Sequence, residues 1–176
     1  MTKHPHKNRK YSIVQYDKNW VNQFNDYVSK IKNIFGDRVQ IEHIGSTSVS
    51  GMLGKPSIDI LVIVKDLKIL DKHIKDLENI GFQYDGAFVT KDSRLFRVIE
   101  DDTVLANVHF FPNEHEHIKE MINLRDYFRT HINEVEKYSK TKEHLYSKYP
   151  KDYASYRKYK DEYMENLKSR IHKNES

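Results

Sequence analysis

No cysteine occurs among the 176 residues, so disulfides and thiolate metal sites are excluded, and a reducing, cytoplasmic setting is expected. No run reaches the roughly 18 uninterrupted apolar residues of a membrane span, and the longest apolar block, Ile58 to Val64, is already broken by Asp59. A membrane partner is not expected. The first ten positions contain no acid; Lys3, Lys7, Arg9 and Lys10 stand there without the apolar segment of a signal peptide. Internal repeats and low-complexity tracts are also missing.

What is there is 38% hydrophobic and 32% charged residues, which fits one globular domain or a domain with an appended helical piece. The formal charge of +4 invites a nucleic-acid reading. Four of the 30 basic residues lie in the first ten positions, however, and the remaining 26 equal the 26 acidic ones. The excess therefore belongs to a tail, residues 1–10, and a balanced body disfavours RNA as partner.

Hydrophobic periodicity sets the organisation. From Asp17 to Phe35, apolar residues recur at steps of three and four, with Asp17 as N-cap and Gly36 as stop. Val39 to Ile44 alternates as a strand that ends at Gly45, and a segment of small residues, Gly45 to Gly51, must be a loop or a tight turn into a short helix. Ser57 to Val64 reads as a central strand buried on both faces. Leu67, Leu70, Ile74, Leu77 and Ile80 predict one helix closing at Gly81. Phe82 to Tyr84 predicts a short strand, and Leu95–Ile99 with Val104–Phe111 a hairpin turning at Glu100-Asp101-Asp102. Beyond Pro112 the pattern is helical, with a third helix expected to begin at Pro150. The expected division is a core over 11–112 and a helical section over 113–176 packed on it, an α+β arrangement of a mixed sheet flanked by helices.

The chemistry gathers at Gly45-Ser46-Thr47-Ser48 and Asp59. A strand that ends in Gly-Ser and turns into a helix exposes backbone amides and hydroxyls able to hold phosphate oxygens. An aspartate in an apolar strand costs several kcal/mol unless a cation or hydrogen-bond donors compensate, and a divalent metal is the usual partner beside phosphates. A capped turn and a loop-capping aspartate are the plain alternatives. Gly51 to Lys55 superficially suggests a P-loop, but the spacing is wrong and Pro56 stands where that motif needs Ser or Thr.

The run Glu42-His43-Ile44-Gly45-Ser46-Thr47-Ser48-Val49 through Gly51, then Lys55-Pro56-Ser57-Ile58-Asp59-Ile60, resembles the signature of the GrpB family, proteins of nucleotidyltransferase-like fold. Supporting similarity runs through Val14 to Trp20, Asn107-Val108-His109-Phe110, Leu124 to Arg129 and Tyr156 to Lys160. The resemblance implies a Gly-Ser loop above the strand of Asp59, as nucleotidyltransferases use for nucleotide and metal. Working members carry two acids one residue apart and a third on a neighbouring strand; here the second position is Leu61 and the neighbouring strand offers His109. Two-metal transfer is thereby placed in doubt, and a site with one Mg²⁺ remains.

The resulting expectation is a protein that binds a nucleotide or another phosphorylated small molecule. Gly45, Ser46, Thr47, Ser48 and Lys55 would lie at the phosphates, Asp59 at the metal and reaction, and His109 beside it as ligand or base. Glu42 and His43 point to opposite faces of a regular strand, so only one of them can enter a pocket. Arg97 is a further pocket candidate, while Arg125 and Arg129 would pair with acids or phosphate. His115 and His117 would diverge by about 200° on a helix, which argues against a metal pair. Six of the twelve tyrosines fall from Tyr146 on, at spacings that favour packing over base stacking. The rival class is a non-catalytic binding or scaffold module, for which the resemblance implies a link to coenzyme A metabolism, since similar domains occur attached to dephospho-CoA kinase.

Overall fold

The computed structural model describes residues 10–87 and 89–174; Lys3, Lys7 and Arg9 of the basic tail lie outside them. Helix α1 (Trp20–Phe35) buries Trp20, Ile31 and Phe35 along its apolar stripe. Its start is Asn19 rather than the expected Asp17. The Asp17 carboxylate instead accepts from the Asn19 amide at 2.8 Å and its carbonyl from Trp20, which holds the entry turn.

Five strands follow: β1 (Val39–Ile44), β2 (Ile58–Val64), β3 (Gln83–Gly86), β4 (Arg94–Glu100) and β5 (Thr103–Pro112). They form one sheet in the order β1-β2-β5-β4-β3, with β2 and β5 parallel and the other neighbours antiparallel. Strand β2 is buried on both faces because each face meets helices. Its residues Ile58, Ile60, Val62 and Val64 pack with Phe96, Val108 and Phe110 under α1, while Leu61 and Ile63 join Ile44, Phe111 and Ile118 on the other side. Each fully buried aliphatic side chain here contributes about 1.5–3 kcal/mol. Asp59 belongs to the second face, at the end of β2 where that apolar layer stops.

Two helical expectations change. The single helix over 67–80 is two short ones, α2 (Leu67–Asp71) and α3 (Ile74–Asn79), because His73 leaves helical backbone at φ −111°, ψ 11°. The period survives the break, since Leu70 and Leu77 both still reach the core. The C-terminal helices are α4 (Glu116–Thr130), α5 (Ile132–Lys148) and α6 (Tyr153–Asn174). Helix α6 starts three residues after Pro150, where the Asp152 side chain accepts from the Ser155 amide at 3.0 Å and so caps the free donors.

The β4–β5 hairpin closes on two residues, Asp101 at φ 46° and Asp102 at φ 61°, the mirror-image turn that matches strand twist. Aspartate tolerates left-handed backbone, but Asn-Gly is the pair this turn favours most. Asp101→Asn with Asp102→Gly is therefore expected to stabilise the fold by about 0.5–1 kcal/mol. An unchanged urea midpoint would contradict this. No helix among the described residues is long and apolar enough to cross a membrane.

Candidate functional site

The site begins where β1 ends. Gly45 stands at φ 71°, ψ −172°, and a Cβ placed on it would lie 2.5 Å from Asp59 Oδ2, so the turn rests directly on the carboxylate. Ser46–Ser48 then makes a single 3-10 turn. Gly54 closes against this turn from the far side, where its own Cβ would meet Ser46 Cβ at 2.9 Å.

Strand register decides what surrounds Asp59. On β5 it pairs with Asn107, and Leu61, two residues on, pairs with His109. Side chains on paired rungs share a face. Asn107 Nδ2 accordingly donates to Asp59 Oδ1 at 2.8 Å and to Ser57 Oγ at 3.3 Å. Arg97 pairs with Asn107 from β4, sharing that face, and makes a 2.5 Å ion pair with Asp85.

The helical section covers this face and ties down the loop. Val49 and Met52 pack with Phe128, Tyr138 and Leu167. Arg129 donates through Nε and Nη2 to the Ser48 carbonyl at 3.1 and 2.9 Å, and Ser139 Oγ accepts from the Leu53 amide at 3.1 Å. The Lys142 ammonium donates to Ser46 Oγ at 2.9 Å and to the Leu53 carbonyl, and sits 4.2 Å from the Tyr138 ring centre. Contacts to α4 and α5 thus give order to a segment too poor in bulk to order itself.

Between loop, sheet and helices lies a cavity of about 400 Å³. Its polar wall carries Gly45, Ser46, Thr47, Lys55, Asp59 and Lys142. His109, Asn107, Arg97 and Arg125 border it from the sheet and α4; Tyr153, Tyr156, Arg157, Lys160 and Asp161 border it from helix α6. Met121, Leu124, Phe128 and Met164 supply an apolar wall. Lys55 donates to Tyr153 Oη at 2.7 Å, and Asp161 takes Arg157 at 3.3 Å and Lys160 at 2.6 Å. Five lysines and arginines, Lys55, Arg125, Lys142, Arg157 and Lys160, thus approach from the loop and the C-terminal helices, against the carboxylates of Asp59 and Asp161.

Three expected residues are placed elsewhere. Ser48 does not border the cavity: its hydroxyl donates back to the Gly45 carbonyl at 2.6 Å, which tightens the turn. Glu42 shares the Asp59 face but is engaged by Arg125 at 2.7 Å. Arg125 also donates to the His43 carbonyl at 3.2 Å, so the pair fastens α4 to β1. His43 faces the opposite side, stacked on Phe24 at 4.6 Å and hydrogen-bonded to Thr47 Oγ1 at 2.9 Å. It supports the loop from behind.

The histidine pair also differs from expectation. His115 precedes helix α4 in extended backbone, so the helical angle does not apply, and its ring lies 5.3 Å from that of His117, both against Phe111. Of the tyrosines at the C-terminus, Tyr153 and Tyr156 pack with Tyr11 and Leu145 and also face the cavity.

Burial governs the titrations. It pushes the His43 imidazole down to about 4, against an upward pull from Asp59 and with help from Arg129 and Arg125. His109 is lowered for the same reason, with Asp59 opposing and Arg97 assisting, and its Nδ1 is inaccessible and has no hydrogen-bond partner among the described residues. The Lys142 amine is pushed well below the usual lysine range, first by burial and then by the charge of Lys160. Burial raises Glu42, but hydrogen bonds from Arg125 and Gln40 outweigh it and leave the carboxyl below its ordinary value.

The donor set does not fit a resident Mg²⁺. No group of three or more histidine or carboxylate side chains placed to hold a metal occurs among the described residues. Asp59 is a single carboxylate with one oxygen taken by Asn107 and the other against Gly45, and its neighbours on the face, Leu61 and Asn107, carry no charge. Two-metal chemistry needs carboxylates to hold both ions. Leu61 is fully buried, so a carboxylate there would meet a severe desolvation cost.

Asn107, Lys142, Arg157, Lys160 and Asp161 are cavity residues to which sequence reasoning gave no site role. Asn107 carried a usable signal, because it lies two positions before His109 and so shares its face in any strand. Lys142 carried none, being one lysine among several on an exposed-looking helix, 96 residues from its partner Ser46.

The sequence model of the family described as GrpB protein matches residues 10–170. UPF0157 protein BH1888 of Halalkalibacterium halodurans is 32% identical over 142 residues, covering 80% of this chain and 71% of that one. The glutamate-rich protein GrpB of Alkalihalophilus pseudofirmus is 30% identical, covering 88% and 92% respectively. Among solved structures, GrpB from Enterococcus faecalis superposes with a TM-score of 0.85 at 28% identity, covering 93% of this chain and 98% of that one. A cytoplasmic RNA terminal U-transferase follows at a TM-score of 0.53 and 14% identity, covering 76% and 42%. The Cid1 poly(U) polymerase gives 0.52 at 15% identity, covering 77% and 43%. These two share the nucleotidyltransferase-like fold with this chain.

Proposed function

This chain belongs to the GrpB family, and we propose that its cavity binds a nucleotide or another phosphorylated small molecule, the phosphates lying at the Gly45-Ser46 turn. The observation that carries this reading is the buried Lys142 amino group on Ser46 Oγ, at the polar end of a cavity that also receives Lys55, Arg157 and Lys160. A buried lysine with no carboxylate on it among the described residues is an expensive feature to keep for packing alone. An arriving phosphate supplies the missing negative charge. The opposite wall, with Met121, Leu124, Phe128 and Met164, suits the apolar body of a nucleoside or of a pantetheine-like chain.

Binding rather than nucleotidyl transfer is the reading the acids favour. Asp59 with Asn107, Leu61 and His109 around it offers one carboxylate where two-metal displacement needs carboxylates for both ions. A cytoplasmic setting accords with this ligand class and with the absence of cysteine.

Thermal unfolding in the presence of nucleoside mono-, di- and triphosphates, coenzyme A and the unphosphorylated nucleosides tests the reading. A ligand at 100 times its Kd stabilises by about 2.7 kcal/mol, which for a chain of this size raises Tm by roughly 5–10 °C. At least one phosphorylated compound is expected to reach this, and its nucleoside to give none. Lys55→Met with Lys160→Met is expected to weaken binding at least tenfold. Equal shifts with and without phosphate, or none at concentrations of about 1 mM, would remove the proposal.

A further inference from the structure

We infer that the cavity binds its phosphates without a divalent ion, the cations of the loop and helices α5 and α6 standing in for metal, so that the metal-free phosphate is the ligand. This rests on the phosphate-binding reading above and specifies the chemical form taken.

The geometry carries it in three steps. First, Asp59 is the one sheet carboxylate bordering the cavity among the described residues, with Asn107 Nδ2 on its Oδ1 and Leu61 and His109 on the next rung, while Glu42 on the same face is held by Arg125. An ion bound there would have a single charged protein ligand. Second, Lys142 in the ammonium form that an arriving phosphate favours has three N–H donors, two of them used by Ser46 Oγ and the Leu53 carbonyl, which leaves one for the cavity the residue borders. Lys55 spends one donor on Tyr153 Oη and keeps two. Third, Arg157 and Lys160 both lie on Asp161, a carboxylate at the cavity wall that an incoming phosphate replaces as their partner.

The charge balance follows. Phosphate oxygens entering beside Ser46 meet Asp59 as the only acid of the sheet wall among the described residues, and Lys142 on the other side of the turn offsets it. A magnesium-bound phosphate arrives with much of its charge already neutralised, so it gains less from these cations and leaves their field uncompensated. Polyphosphates free of metal gain most. Lysine serves here as a point charge, and its flexible stem adapts to more than one phosphate position.

The test uses inorganic pyrophosphate and ATP as probes, titrated calorimetrically into the full chain in EDTA and again with saturating Mg²⁺. The expected result is binding in EDTA that Mg²⁺ leaves equal or weakens, by about threefold or more for ATP. Lys142→Met is expected to lose at least tenfold in affinity in EDTA, with Lys142→Arg recovering part of it. Because Lys142 also fastens the loop, Lys160→Met on the cavity wall gives an independent reading and is expected to weaken pyrophosphate severalfold. Binding seen only with Mg²⁺, or tightened by it, overturns this inference while sparing the phosphate-binding reading. No binding in either condition overturns both.

Discussion

Gly45→Ala is expected to cost about 3–5 kcal/mol, a large part of the roughly 5–15 kcal/mol that holds an ordinary domain folded. Two independent penalties add. The backbone at φ 71°, ψ −172° lies in a region that only glycine enters freely, worth about 1–3 kcal/mol to any other residue. The new methyl would also lie 2.5 Å from Asp59 Oδ2 and 3.0 Å from Asp59 Cβ, and such overpacking costs about 1–3 kcal/mol more. Nothing at that spot is free to move, because Asp59 sits in a strand paired on both sides.

Gly51 separates the two penalties. Its φ is 78°, yet a Cβ there meets nothing within 4 Å, so Gly51→Ala carries the backbone cost alone and is expected to lose about 1–2 kcal/mol. Asp59→Ala in the Gly45→Ala background removes the carboxylate oxygen from the collision and is expected to recover part of the loss, a coupling that a double-mutant cycle in urea reads directly. Equal losses at the two glycines, or purely additive behaviour with Asp59, would show that turn and carboxylate are not pressed together as described.

Acid is expected to weaken the fold through His43 well before the carboxylates are protonated. The imidazole is buried between Phe24 and Thr47 and titrates near 4 in the folded chain, against an ordinary value of 6.5 when unfolded. The folded state therefore binds fewer protons than the unfolded state between these values, and stability rises with pH across that window. The contribution is complete above about 6.5 and is lost as pH falls toward 4. At about 1.4 kcal/mol per tenfold change in proton affinity, the loss is roughly 3 kcal/mol. His109, lowered by burial on the other face, acts in the same direction.

His43→Gln keeps a group able to hydrogen-bond Thr47 and removes the titration. It is expected to lose about 1 kcal/mol at neutral pH, from the stacking on Phe24, and to show a flatter fall in the urea midpoint between about pH 6.5 and 4.5. A pH profile parallel to that of the parent chain would assign the acid sensitivity elsewhere. The neutral ring also explains why the loop is held from behind without a charge competing for phosphate.

Much of this architecture is local in origin, and so it was legible in the chain. The strand Ile58–Val64 announces itself because a segment buried on both faces needs continuous apolar side chains, and the same reasoning exposes Asp59 as the exception. The hairpin around Asp101-Asp102 and the helices after Pro112 follow equally from turn chemistry and period. Where local reading failed, a neighbour intervened: His73 divides the helix expected over 67–80, and Asp152 in place of Pro150 starts the last one.

The sequence alone determined the family resemblance, the sheet-and-helix plan, and the coincidence of a glycine-serine turn with a lone strand carboxylate, because each is written in residues adjacent along the chain. Only the tertiary structure decided which side chains share the cavity. Pairing register put Asn107 rather than a third acid beside Asp59 and turned His43 away, and helix packing carried Lys142 across 96 residues to Ser46. Register and packing are settled by the burial of whole faces, a property of the assembled layers that no single segment contains.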